Sequence, residues 1–236
     1  MEHQLRINKR MAELGLCSRR EADTLIANGF VQVNGTPATI GQSVSLQDTI
    51  TLSTDPTADK QYLAYYKGRG IITHSPATGE TDIASRLKRD YSLEGVAPIG
   101  RLDKDSEGLL LLSNDGRLTG PLLDPENGIK KTYEVTVDKG LTNRFVQNMA
   151  AGVHIEGYTT KPAHIERTGP VRFTLTLTEG KKHQIRRMCA ALGYQVQSLK
   201  RVQIANIELG KLKPNQYRKL TAVERKELGA RIGIVL

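Results

Sequence analysis

Cysteine is scarce in this chain of 236 residues. There are two, Cys17 and Cys189, far apart and with no partner nearby in the sequence. That excludes a disulfide framework and a cysteine-built zinc site, and it favours a reducing compartment. The five histidines, His3, His74, His154, His164 and His183, lack metal-ligand spacing as well, so no metal is expected. No run approaches the roughly 20 consecutive apolar residues that span a bilayer. The opening residues, Met1–Arg6, hold no apolar signal core. Internal repeats and low-complexity tracts are also lacking. These absences lead us to expect a soluble, cytoplasmic protein with no membrane partner.

What is present supports a folded chain: 38% of residues are hydrophobic and 25% charged, which is outside the range of solvated disordered polymers. The formal net charge is +9, and its distribution is uneven. Residues 1–56 hold five Lys/Arg and six Asp/Glu, whereas residues 181–219 carry ten Lys/Arg against one acid, Glu208. A basic excess confined to one region points to a polyanionic partner.

The N-terminal segment reads clearly. Ile7, Met11 and Leu14 recur at helical spacing, with Gly15 to close the turn. Ser18 and Glu21 form a capping-box pattern that starts a second helix, whose apolar face is Ala22, Leu25 and Ile26 and whose stop is Asn28-Gly29. Phe30–Ala38 then reads as strand, Asn34-Gly35 turn, strand, the signature of a type I′ hairpin. Arg6, Lys9 and Arg10 fall on one side of the first helix, and Arg19 and Arg20 open the second. Packed side by side, these helices would gather the five into a cationic face for phosphate contacts; a merely solvated face is the equal alternative.

Ser53–Lys60 is polar and contains a proline, as linkers do. Alternating patterns follow at Tyr62–Tyr66, Thr132–Val137, Val171–Leu177 and Ile204–Leu209, each predicting a half-buried strand. Leu141–Ala151 and Arg187–Leu192 predict helices. Helices and strands do not alternate regularly, so the predicted class is α+β: a small helix–helix–hairpin domain (1–54), a linker (55–60), and a larger domain (61–236) with a largely antiparallel mixed sheet.

The chemistry is concentrated in Pro98–Gly116. Asp103 and Asp105 stand two apart in a loop-like run, followed by Gly108 and four consecutive leucines, Leu109–Leu112, suited to a buried strand. A carboxylate placed just before such a strand has the rigid support a catalytic group needs. Asp103, Asp105, Glu107 and Gly108 also match the opening of a calcium loop. The match then fails: the twelfth loop position is Asn114, no helical pattern precedes the loop, and Lys104 adds positive charge. An acidic surface turn without a task is the remaining alternative.

The run Gly100-Arg101-Leu102-Asp103-Lys104-Asp105-Ser106-Glu107-Gly108-Leu109 resembles the signature of the pseudouridine synthases that modify bacterial ribosomal RNA. Lys131-Thr132-Tyr133-Glu134-Val135 resembles that family's tyrosine motif, and Gly180–Met188 its basic motif. The helix–helix–hairpin unit resembles an RNA-binding domain shared with a small-subunit ribosomal protein. Together the four cover nearly the whole chain. Two departures stand out: Tyr66-Lys67-Gly68 replaces the Asn-Lys-Pro of many relatives, and Ser106 replaces a common threonine.

The resemblance implies an isomerase that needs no cofactor, since no atoms are gained or lost when uridine becomes pseudouridine. It casts Asp103 as the catalytic carboxylate, attacking either sugar or base. Arg186 becomes its ion-pair partner, holding it charged and oriented, and Tyr133 lies against the target base. Arg101 would fill the space the base leaves or hold the backbone, with Leu102 among the RNA contacts. Lys104, Lys181, Lys182 and Arg187 would grip phosphates, and His183, Gln184 and Ile185 fall in the RNA-contacting basic motif, His183 for contact or structure and not for acid–base work. The partners implied are a ribosomal RNA stem-loop, large-subunit first, or an assembling ribosomal subunit, with small-subunit RNA and tRNA behind; a monomer is the default.

Overall fold

The computed structural model describes residues 4–53, 60–74 and 80–236. Apart from Lys60, the linker expected over 55–60 lies outside them. The N-terminal unit runs β1 (Leu5–Arg6), α1 (Ile7–Glu13), α2 (Arg19–Ala27), β2 (Val31–Val33), β3 (Thr36–Pro37), β4 (Ser43–Val44) and β5 (Ile50–Leu52). Ile7 and Met11 of α1 pack with Ala22 and Ile26 of α2 and with Val31, Val33 and Val44 in one core. Asn34 and Gly35 both take positive φ, 51° and 81°, as the type I′ turn between β2 and β3 requires.

The capping box of α2 is half realised. Ser18 Oγ accepts from the Glu21 N–H at 3.2 Å, an interaction typically worth about 1 kcal/mol. The Glu21 carboxylate turns away to pair with Lys60 at the start of the second unit. Ser18 also presses on Gly116 of that unit, where an added Cβ would come within 2.2 Å of the serine Cβ.

The larger unit continues with β6 (Tyr62–Lys67), α3 (Ile83–Tyr91), β7 (Ala97–Ile99), β8 (Glu107–Ser113), α4 (Thr119–Leu123), β9 (Lys131–Val137), α5 (Asn143–Ala151), β10 (His154–Ile155), β11 (Tyr158–Thr159), β12 (His164–Arg167), β13 (Arg172–Leu177), α6 (Gln184–Ala191), β14 (Val196–Ile204), β15 (Ile207–Glu208), β16 (Tyr217–Lys219) and α7 (Ala222–Ile232). Its main sheet has the order β12-β13-β9-β14-β8-β6-β16, with β15 added to β14 and β7 to β8. The β8–β14 pair is parallel and the other pairs of this sheet are antiparallel, which is the largely antiparallel mixed sheet expected.

Both faces of the sheet are covered. Leu110 and Leu112 of β8 join Leu63 and Tyr65 of β6 in one core, while Leu109 and Leu111 join Tyr62, Ala64 and Tyr66 in the other. The four-leucine run is therefore a central strand buried on both sides. Two expectations need correction. Tyr62–Tyr66 is fully buried, not half-buried. Ile204–Leu209 is not one strand but the turn of a hairpin, since Ala205 takes φ 53° and separates β14 from β15. A helix that the sequence reading did not place, α3, lies earlier, capped by Asp82, but it is strand β7 that runs into the Asp103 loop.

Candidate active site

Asp103 stands in the loop between β7 and β8, and that loop is clamped from two sides. On one side Thr73 donates through Oγ1 to the Leu102 carbonyl at 2.8 Å and accepts from the Leu102 N–H at 3.2 Å. On the other, the wholly buried Lys67 donates through Nζ to the carbonyls of Ser106 at 2.7 Å, Gly68 at 3.1 Å and Lys104 at 3.4 Å. The Ser106 N–H closes the turn onto the Asp103 carbonyl at 3.0 Å. Burial pushes the Lys67 ammonium down to about 8, against the pull of Asp103, Asp105 and Glu107. One buried cation thus sits beneath three carboxylates. Sequence reading noted Lys67 only as a retained lysine and passed over Thr73; their signal was two polar side chains inside otherwise apolar stretches.

The Asp103 side chain remains 37% exposed, and its Oδ1 lies 3.3 Å from His183 Nε2. His183 precedes α6 with a left-handed φ of 51°, a conformation costing a non-glycine residue of order 1 kcal/mol. The expected ion pair between Asp103 and Arg186 is corrected here. Arg186 donates instead to the Asp105 carbonyl at 3.2 Å, the Ser106 hydroxyl at 3.4 Å and the Val196 carbonyl at 3.3 Å. Its place on α6 brings it to the loop's backbone, where three oxygens use the guanidinium fork, and the carboxylate faces His183.

Beside Asp103 opens a cavity of about 360 Å³, within the size range of small-ligand sites. Asp103, Arg101 and Leu102 lie on one wall; Tyr133 of β9 on another; Lys181, Lys182, His183, Gln184 and Ile185 at the head of α6; and Lys131 and Arg201 deep in the sheet. Of the residues predicted for the site, the cavity does not take in Lys104, Arg186 or Arg187. Lys104 pairs with Glu80 at 2.7 Å. Arg187 pairs with Glu156 at 2.5 Å and donates to the Lys182 carbonyl at 3.3 Å.

Gln184 and Ile185 are buried. The Gln184 amide is already used, donating to Glu179 at 2.7 Å and accepting from the Lys181 N–H at 2.8 Å, so it braces the turn into α6. Lys181 Nζ sits 4.9 Å above the Tyr158 ring. Neither cysteine is a candidate nucleophile: both are free and buried, and burial pushes both thiols up to about 12.

In the N-terminal unit Lys9 and Arg10 both approach Glu13, at 3.7 and 4.0 Å. Arg6 and Arg10 also donate to the Gly41 and Leu46 carbonyls. Arg19 and Arg20 are exposed. None of the five lines the cavity.

The mixed sheet thus carries a loop-borne aspartate beside a tyrosine-walled cavity, behind a helix–helix–hairpin unit, and known proteins of this arrangement are RNA-modifying isomerases. Residues 61–191 match the RNA pseudouridylate synthase family and residues 5–50 match the S4 domain; the chain belongs to the pseudouridine synthase family. It is 39% identical to the dual-specificity RNA pseudouridine synthase RluF of Escherichia coli K12 across 96% of this chain and 79% of that protein. To the ribosomal large subunit pseudouridine synthase B of Bacillus subtilis it is 34% identical, across 95% of this chain and 96% of that one. A pseudouridylate synthase crystal structure matches with TM-score 0.71 and 31% identity, covering 95% of this chain and 99% of the other. Among the described residues, no helix is long and apolar enough to cross a membrane.

Proposed function

We propose that this enzyme isomerises specific uridines of ribosomal RNA, with Asp103 as its catalytic nucleophile. The observation that carries the reading is the setting of Asp103: a half-exposed carboxylate on a loop pinned by Thr73 and Lys67, at the edge of a cavity walled by Tyr133. A rigid nucleophile beside a cavity roomy enough to admit a nucleoside meets the positional demand of the reaction. The uridine reaches it by leaving its stack, at a cost of a few kcal/mol. Tyr133 then lies against the base. Arg186 is a positioning residue that fixes the loop backbone. Arg101, Lys181 and Lys182 meet the flanking backbone, and His183 partners Asp103 until substrate enters.

Large-subunit RNA is the first choice of substrate, in keeping with the name of the B. subtilis relative, with small-subunit RNA and tRNA behind it. Residues 1–54 select the RNA through Arg6, Lys9, Arg10, Arg19 and Arg20, residues 61–236 perform the chemistry, and the enzyme works as a cytoplasmic monomer. A non-catalytic RNA-binding factor would use the same basic surfaces but needs no clamped aspartate, and the Asp103→Asn variant separates the two. Pseudouridine formation should be abolished while RNA affinity stays within about threefold. Normal turnover by the variant would refute the assignment.

A further inference from the structure

We propose that Arg201 and Lys131 form a cationic floor to the cavity, stabilising the negative charge that arises on the uracil ring during the isomerisation. The proposal rests on the reading of Asp103 given above. Arg201 on β14 stands in register with Tyr133 on β9, and Ile204 of β14 with Lys131, so both cations enter the cavity from the two strands that hold the tyrosine. Both are more than nine-tenths buried. Arg201 Nε donates to the Leu109 carbonyl at 2.7 Å, but its Nη2 is sealed from bulk water and has no hydrogen-bond partner. Lys131 Nζ donates to the Leu122 carbonyl at 3.1 Å. Among the described residues, no carboxylate oxygen lies within 4 Å of either group.

Two buried cations on one cavity wall are costly to keep when no carboxylate touches either; the acids of the same cavity, Asp103 and Glu179, are engaged elsewhere, Asp103 with His183 and Glu179 with Gln184 and Tyr158. Bracing Leu109 and Leu122 does not account for them, because neutral donors would brace those carbonyls without the charge. Burial, followed by the nearby Arg201 charge, pushes the Lys131 ammonium down to about 8; at neutral pH it stays largely protonated. The cavity is therefore preorganised for an anion that appears inside it.

The reaction supplies that anion by either route. If an Asp103 oxygen bonds to the ribose C1′, the C1′–N1 bond breaks and its electron pair passes to the ring, spread over O2 and O4. If the oxygen bonds to C6, the C5–C6 π pair moves through C4 onto O4, and the C1′–N1 bond then breaks with its pair left on N1. In both, the carboxylate gives up its charge and the ring takes it on. In the first route C5 bonds to C1′ as the Asp103–C1′ bond breaks; in the second C5 bonds to C1′ first and the Asp103–C6 bond breaks afterwards; in both the pair returns to the carboxylate, C5 releases a proton and N1 takes one up. A floor that is positive throughout favours the state in which the ring carries the charge.

The test uses the full-length enzyme and its Arg201→Gln and Lys131→Met variants, with 23S ribosomal RNA transcribed from UTP or from 5-fluoro-UTP. Fluorine withdraws electrons and stabilises the ring anion by itself. Single-turnover rates are read by mass spectrometry as loss of the unmodified target nucleoside, uridine or 5-fluorouridine, which precedes the C5 deprotonation that fluorine blocks, with RNA affinity and circular dichroism alongside. Each variant should lose about 100-fold on uridine RNA at unchanged affinity, and less than about 10-fold on 5-fluorouridine RNA. An equal deficit on both RNAs, or none, would overturn the proposal. Should Arg201→Gln fail to fold, Lys131→Met decides the matter by the same contrast. Wild-type enzyme inactive on every RNA would instead remove the underlying reading of Asp103.

Discussion

Asp103 owes its position to neighbours that never reach the cavity. Lys67 is the strongest of them: wholly buried, it ties three carbonyls of the loop and its approach. Replacing it with methionine keeps the volume but leaves those oxygens unpaired in a dry site, each costing about 1–3 kcal/mol. Lys67→Met should lower the single-turnover rate more than tenfold while RNA affinity changes little. A melting curve taken in parallel should fall by several degrees, and an unaltered rate would remove Lys67 from the account. Charge on Lys67 also balances Asp103, Asp105 and Glu107, which explains why a lysine serves where a neutral donor would leave three acids clustered.

At the scale of elements, the site depends on how closely β8 and β14 approach. Gly108, the second residue of β8, has φ 110°, and a Cβ there would sit 2.2 Å from the Arg201 carbonyl oxygen and 2.6 Å from its nitrogen. Both atoms are backbone and neither can yield cheaply. Gly108→Ala should therefore cost about 3–5 kcal/mol, in the exceptional range for one substitution, measured as the shift in a urea unfolding midpoint.

The N-terminal unit was legible in the sequence because its signals are local: helical spacing at Ile7 and Met11, the Ser18 cap, the Asn34-Gly35 turn. So was the loop before the leucine strand. What local pattern does not carry is which strand lies beside which. The parallel β8–β14 pair sets Arg201 in the cavity, and nothing near Arg201 in sequence marks it as buried. The partner of Asp103 was misjudged for the same reason. Arg186 is spaced correctly along the chain, yet its helix directs it to the loop backbone, and His183 faces the carboxylate. Helix α3 escaped notice because only Ile83 and Leu87 of its nine residues are buried.

Across the whole molecule, buried ionisable groups shape the pH response. Lys67 and Lys131 have ammonium groups pushed down to about 8 from 10.5. Between those values the folded chain binds fewer protons than the unfolded one, so their contribution to stability rises with pH. Cys17 and Cys189 are raised from 9.0 to about 12, and Tyr62, Tyr65 and Tyr66 from 10.0 to about 12. These five bind more protons when folded, and their contribution falls as pH climbs past 9 and 10. Stability should hold or rise slightly from pH 8 to 9 and drop steeply above pH 10, as followed by urea midpoints. A monotonic decline starting at pH 8 would speak against the buried lysines.

The N-terminal unit makes its own prediction at this scale. Arg19→Ala with Arg20→Ala should weaken RNA binding and flatten its dependence on salt by roughly 1.4–1.8 in the log–log slope, the loss of two phosphate contacts. An unchanged slope would mean that the two arginines face solvent only.

The most direct test of Asp103-dependent pseudouridine synthesis is a map of pseudouridines in ribosomal RNA and tRNA from cells lacking this enzyme, complemented with wild-type or Asp103→Asn protein. We expect at least one ribosomal uridine to remain unmodified without the enzyme, to be restored by wild-type protein, and to stay unmodified with the variant. Restoration by the variant, or identical maps in all three strains, would contradict the account.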